Sequence, residues 1–233
     1  MPRANRYMLP GNVCHLTHRC HNRSFLFRFA RDRTEYRRRL SAAVKEFNLS
    51  LIGYCITSNH VHLLVKSKTI EVISRFMQKL EGEFAEYYNI RKHRCGAYWQ
   101  GRYWCTMVDN GRYLWDCMKY IDLNMVRAGV VNHPSQWEWC GYRELVGEKK
   151  RYRFLDLKEI LEWYGGSDIE EFRANYRHSI SEAIENRDLS REECWTQSIA
   201  VGGEIFVKDI GERISNIKKL SMCRSAHGKH VLD

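Results

Sequence analysis

The stretch TSNHVHLLVK, Thr57 to Lys66, sets two histidines one residue apart inside an apolar run of strand length. Side chains alternate across a strand, so Asn59, Val61, Leu63 and Val65 point to one face and His60, His62, Leu64 and Lys66 to the other. The first set, Asn59 apart, reads as a core face. The second places two imidazoles side by side at one end of the strand, close enough to share one metal ion, a common use of paired histidines. Taken alone, two half-exposed histidines on a tolerant strand are the simpler account of the spacing.

Outward from this strand, hydrophobic periodicity orders the first half of the chain. VCHLTHRC (Val13 to Cys20) reads as a strand and the arginine-rich run from Arg31 to Asn48 as a helix. LIGYCI (Leu51 to Ile56) and Val61 to Val65 are two strands joined by a short turn at Thr57, Ser58 and Asn59. From Ile70 to Tyr88, apolar residues recur every three or four positions, the mark of an amphipathic helix, and Gly101 to Val108 returns to strand character. Strand-helix-strand-strand-helix-strand is the α+β, ferredoxin-like split βαβ pattern: an antiparallel sheet with its helices on one face and the other face open to ligand.

A third helix is expected from Arg112 to about Val126, stopped by Gly129 and Pro134. On it Tyr120 and Asn124 lie four residues apart and share a face. By itself Tyr120 reads as an amphipathic core tyrosine. After residue 150 the pattern turns to helical segments of mixed charge, FLDLKEILEWYG, SDIEEFRANYRHSISEAIE and EIFVKDIGERISNIKKL. The chain thus divides into residues 1–150 and a helical C-terminal appendage, 151–233.

Composition narrows the function. The net charge of +10 is uneven, +12 over residues 1–150 against −2 over 151–233. A basic half with interleaved aromatics is the footprint of a phosphate-backbone binder, although charge alone does not exceed a solvated surface. Nine cysteines, with no CxxC pair, argue for reduced thiols and against a disulfide framework or a zinc finger. No apolar run reaches the roughly 20 residues that span a bilayer and the opening MPRANRYMLPGN has no signal-peptide character, so a cytoplasmic protein without a membrane partner is expected. His15, His18, Cys20 and His21 look metal-rich, but alternation splits them between two faces and makes tetrahedral zinc a poor fit. A polar strand edge touching nucleic acid is the preferred reading there.

Taken jointly, these features resemble the HUH single-tyrosine transposases, specifically the REP-associated tyrosine transposases of the IS200-like superfamily. The resemblance rests on LPGNVCHLTHRCHNR (9–23), GYCITSNHVHLLVK (53–66), YWQGRYW (98–104), YIDLNMVRAGVV (120–131), WEWCGYRELVG (137–147) and SIAVGGEIFVKDI (198–210). It implies that residues 1–150 form an HUH nuclease domain in which His60 and His62 ligate one divalent metal, Mg2+ or Mn2+. Tyr120 is then the nucleophile that cuts one DNA strand and forms a 5′-phosphotyrosine. Asn124 occupies the position of a third ligand, often glutamine in related enzymes, and is one methylene shorter. Two departures stand out. Ser58 and Met125 replace prolines usual before the Asn–His turn and after the asparagine of the tyrosine helix, which alters turn stiffness and the helix end.

The implied activity is metal-dependent single-strand DNA cleavage and strand transfer at hairpin-forming repeats. Its partners are single-stranded and hairpin DNA rather than a small-molecule substrate, and a homodimer sharing the tyrosine helix is compatible with it. Arg19, Arg23, Arg37, Arg38, Arg39, Lys66, Arg102 and Arg127 are the candidate phosphate contacts. Tyr98, Trp99, Tyr103 and Trp104 are candidates for stacking on unpaired bases, with about half of the four expected at the surface. The competing reading is a retired transposase that binds structured DNA or RNA without cutting. A plain RRM-type sheet lacks its RNP1 signature and leaves the His-Val-His and Tyr120 pairing unexplained.

Overall fold

The fold is seen in a computed structural model that describes residues 7–149, 151, 153–166, 168–214, 221–225 and 228–233. Strand β1 (Val13–Arg19), helix α1 (Ala30–Glu46), strands β2 (Ser50–Ile56) and β3 (His60–Lys66), helix α2 (Ile70–Arg91) and strand β4 (Trp104–Val108) follow in the order the periodicity predicts. The sheet order is β2-β3-β1-β4. All three of these pairings are antiparallel.

Register decides what each face carries. In β1, Thr17 lies opposite His62 and His15 opposite Leu64. Directly opposed residues share a face, so His15, Thr17, His60 and His62 point the same way. Cys14, Leu16 and His18 point the other way with Val61, Leu63 and Val65, against α1 and α2. The stripe read in α2 is the buried one, Ile73, Phe76, Met77, Leu80, Phe84 and Tyr88. Each such side chain contributes about 1.5–3 kcal/mol when fully buried.

The turn into β3 needs no proline. The Thr57 hydroxyl accepts from the His60 backbone N–H at 3.0 Å and donates to the His60 carbonyl at 2.8 Å, closing a side-chain-supported turn.

The helix expected over 112–126 is broken. α3 (Arg112–Asp122) ends at Leu123 and a single turn, α4 (Asn124–Arg127), follows before Gly129 turns the chain with φ +67°. Further on lie α5 (Tyr142–Leu145), α6 (Leu157–Tyr164), α7 (Ile169–Glu185), α8 (Cys194–Gln197) and α9 (Glu204–Ile214). The three helical segments expected after residue 150 are α6, α7 and α9; residues 215–220 of the last lie outside the described residues.

Three expectations are corrected. The region after 150 also supplies β5 (Ala200–Gly202), β6 (Met222–Arg224) and β7 (His230–Leu232), which extend the same sheet as β4-β5-β7-β6. β5 joins β4 in parallel. Close packing there requires Gly202, whose Cβ would sit 2.4 Å from Phe206 and 2.5 Å from Asp109. The face opposite α1 and α2 is only partly open, because α3 lies on β2 and α8 on β4 and β1. Nor is the HLTHRC stretch a polar edge: β1 is flanked on both sides, and His15 and His18 are buried.

Among the described residues no disulfide joins the cysteines, and of the nine only Cys95 and Cys223 are exposed. No helix among the described residues is long and apolar enough to cross a membrane.

Candidate active site

β3 delivers His60 and His62 to the face that α3 crosses, and the α3–α4 break brings Asn124 in beside Tyr120. The two β3 imidazoles stand with ring centres 4.8 Å apart, and the Tyr120 ring is 6.0 Å from that of His62. The Asn124 amide nitrogen lies 3.0 Å from His62 Nε2. Sequence spacing and fold thus bring His60, His62, Tyr120 and Asn124 to one place.

Each imidazole is held at its other nitrogen. His60 Nδ1 lies 2.7 Å from Asn59 Oδ1 and 2.9 Å from Thr57 Oγ1. The amide oxygen can only accept, so Nδ1 carries the proton and Nε2 is bare. His62 Nδ1 lies 2.9 Å from His15 Nε2, and His15 Nδ1 lies 2.8 Å from the Trp195 carbonyl at the start of the C-terminal α8.

Burial is the main cause that keeps these rings neutral. It depresses the His15 pKa to about 4 and that of His60 to about 3, the latter with help from Arg19 and Arg191. His62 is pushed well below its ordinary value by burial and by its histidine and arginine neighbours. For Tyr120 burial raises the phenol pKa, while Arg127 and Arg191 oppose the rise.

Neutral imidazoles with bare nitrogens are the form that ligates a metal, and the donor set fits a divalent ion with positions left for phosphate oxygens. Among the described residues no three His, Cys, Asp or Glu side chains form a metal cage. The further polar side chain at the pair is the Asn124 amide, whose oxygen would face the two imidazoles after a flip of the amide.

These groups open into a cavity of about 690 Å³ walled by Arg19, Arg23, Arg102, Arg127 and Arg191, with Trp104 at its side. Of the proposed DNA contacts, Arg19, Arg23, Arg102, Trp104 and Arg127 therefore lie at the site. Arg37, Arg38 and Arg39 do not: they sit on α1, across the sheet, paired with Glu138, Glu35 and Glu83. Lys66 is at the far end of β3, paired with Glu159 under the Trp163 ring. Among the four aromatics only Trp104 is exposed. Tyr98 and Tyr103 are buried, and half-buried Trp99 stacks on His18 at 4.4 Å. Glu81, buried in α2, explains their orientation: its carbonyl accepts from Trp99 Nε1 at 3.0 Å and its carboxylate lies 3.3 Å from His18.

Sequence reading missed His15, Arg191 and the α8 wall. Arg191 carries no local signal, being one charge among many in an acidic-mixed segment. His15 was visible as a histidine, but the face it shares with His62 depends on β1–β3 register, which alternation within one strand does not reveal.

Comparison with known proteins agrees with this geometry. Residues 11–124 match the family described as IS200-like transposases. A Haemophilus influenzae protein named as a REP-associated tyrosine transposase is 23% identical over 122 residues, covering 48% of this chain and 69% of that protein. The solved structure of a REP-associated tyrosine transposase bound to a REP hairpin superposes with a TM-score of 0.54 at 18% identity, covering 66% of this chain and 89% of the other, and so shares its fold. Residues 11–124, which hold the histidine pair, the tyrosine and the asparagine, are thus the part of this chain that matches the IS200-like transposases, and its similarity to a REP-associated tyrosine transposase runs alongside that match.

Proposed function

We propose that this chain is a metal-dependent single-strand DNA endonuclease and strand transferase acting on hairpin-forming repeats. The observation that carries the reading is the convergence of His60, His62, Asn124 and Tyr120 in one arginine-walled cavity. The REP hairpin bound by the structural relative supports the substrate class.

His60 Nε2, His62 Nε2 and the Asn124 amide oxygen would hold the metal, Mg2+ or Mn2+. When bound, it supplies charge stabilisation at the phosphoryl and leaving oxygens. The arginines seat the backbone phosphates, and Trp104 offers a face to an unpaired base. Tyr120 Oη attacks phosphorus, the bond from phosphorus to the 3′ oxygen breaks, and the phenol proton is balanced by the proton gained on that oxygen. The products are a 5′-phosphotyrosine and a free 3′-hydroxyl, so the phosphodiester energy is kept for joining a second end.

The test is incubation with end-labelled, hairpin-bearing single strands, with Mn2+ and without. A denaturant-stable protein–DNA adduct that requires the metal is expected. Tight hairpin binding with no adduct under any metal would leave a non-cutting DNA binder as the function.

A further inference from the structure

We infer that His15 is a positioning residue which, through the Trp195 backbone carbonyl, fixes His62 in the tautomer that leaves Nε2 bare for a ligand. The inference rests on the metal-site reading above for its purpose, but its geometry stands by itself.

One group in this run of contacts has a fixed role. A carbonyl oxygen only accepts, so the 2.8 Å contact between Trp195 O and His15 Nδ1 puts the proton on Nδ1. His15 is fully buried, which favours the neutral ring, and a neutral ring protonated at Nδ1 has a lone pair at Nε2. The 2.9 Å contact from that lone pair to His62 Nδ1 then needs the proton on His62 Nδ1. His62 is neutral for the same reason, and its Nε2 is left as an acceptor facing Asn124, whose amide nitrogen donates to it at 3.0 Å.

The two β3 histidines therefore reach one state by different means. His60 is set locally, by Asn59 and Thr57 beside it in the chain. His62 has no local partner for Nδ1 and is set by α8, 180 residues from His15 in sequence. A ligating histidine whose second nitrogen is oriented this way gains affinity for its metal, and loss of such a partner costs about 10–100-fold. The C-terminal region is thereby part of the site, although residues 11–124 alone carry the family match.

Two variants separate orientation from packing. His15→Gln keeps the polarity, since the amide N–H donates to Trp195 and the amide oxygen accepts from His62 Nδ1. His15→Leu fills similar space with no acceptor, so the His62 proton moves to Nε2, where a rotated Asn124 oxygen takes it. The readouts are imidazole 15N resonances of the metal-free protein near pH 8 and Mn2+ affinity. The expected result is a protonated Nδ1 on His62 in the unsubstituted protein and in His15→Gln, and a protonated Nε2 with Mn2+ binding weakened about 10–100-fold in His15→Leu. A protonated Nε2 on His62 in the unsubstituted protein overturns the inference, and that measurement needs no variant to fold. So does His15→Leu binding Mn2+ as tightly as the unsubstituted chain. Protonated Nδ1 with no Mn2+ binding at all supports the relay and sinks the metal reading instead.

Discussion

The Arg127 guanidinium lies 4.3 Å from the centre of the Tyr120 ring and donates through Nη2 to the carbonyl of that same tyrosine at 3.1 Å. One side chain thus holds both the ring and the backbone of the proposed nucleophile, at the point where the helix breaks. Its charge opposes the rise that burial imposes on the phenol pKa. Replacing Arg127 with Gln removes the cation from the ring face, an interaction worth about 1–2 kcal/mol when partly desolvated. Single-turnover adduct formation at saturating hairpin is expected to slow roughly tenfold. An unchanged rate would reduce Arg127 to a helix-end contact.

Tyr120→Phe is expected to abolish cleavage and adduct while leaving hairpin affinity and Mn2+ binding in place. Only a hydroxyl at the cavity wall is lost, so stability should change by about 1 kcal/mol or less, the size of one ordinary hydrogen bond. Urea unfolding and gel-based cleavage read the two effects separately. Cleavage at the unsubstituted rate would make Tyr120 structural.

The arginines divide by which side of the sheet they occupy. Arg19→Ala, at the cavity, is expected to weaken hairpin binding and lower the slope of log affinity against log salt by about 1. Arg38→Ala, paired with Glu35 on α1, should leave both unchanged. Fluorescence titrations at several salt concentrations decide it. Equal losses for both variants would mean that DNA also tracks over the helical face.

Asp122, between Tyr120 and Asn124 in sequence but bonded to Tyr176, gives a pH dependence of stability. Burial raises its pKa from 3.8 to about 7, even though the Tyr176 hydroxyl donates to it at 2.8 Å. Below pH 4 the carboxyl is protonated folded or unfolded and no penalty exists. Between pH 4 and 7 the unfolded chain gives up the proton that the folded chain retains, so this group costs stability as pH rises, fully so above 7. Asp122→Asn keeps the acceptor for Tyr176 and should stabilise the protein at pH 8 by roughly 2–4 kcal/mol, with the gain vanishing near pH 4. Urea midpoints at the two pH values are the measurement.

Strand and helix order in the first 126 residues was legible because each element is long enough to show its period. The histidine pair, Tyr120 and Asn124 were legible as a motif. The break at Leu123 was not, since no Pro or Gly marks it. β5, β6 and β7 were invisible for a different reason: three residues hold barely one alternation, and their pairing is set by partners far along the chain, as Ala200 is by Met107. The buried Tyr98 and Tyr103 look like stacking residues in sequence because an aromatic beside arginines suits both a nucleic-acid surface and a core. Arg37, Arg38 and Arg39 lie away from the cavity because α1 packs on the opposite side of the sheet, and their pairings with Glu138 and Glu83 are recognisable only in space, whereas Glu35 is a helical neighbour of Arg38 and Arg39.

The parallel seam between β4 and β5 bears on how copies of this protein can meet. A four-stranded sheet ending at β4 would show a bare row of N–H and C=O groups, a template for strand exchange and aggregation. β5 covers that row, with Met107 N–H donating to the Ile199 carbonyl at 2.8 Å and Asp109 N–H to Val201 at 3.0 Å. On the opposite margin Ile56 N–H donates to Trp139 at 2.9 Å and Gly141 N–H to Tyr54 at 2.9 Å, so β2 is capped too. Two copies of this chain therefore cannot join by continuing one sheet through β4. The margin on that side is instead the three-residue, exposed β6, and a chain cut after residue 150 should turn sticky, not merely shorter.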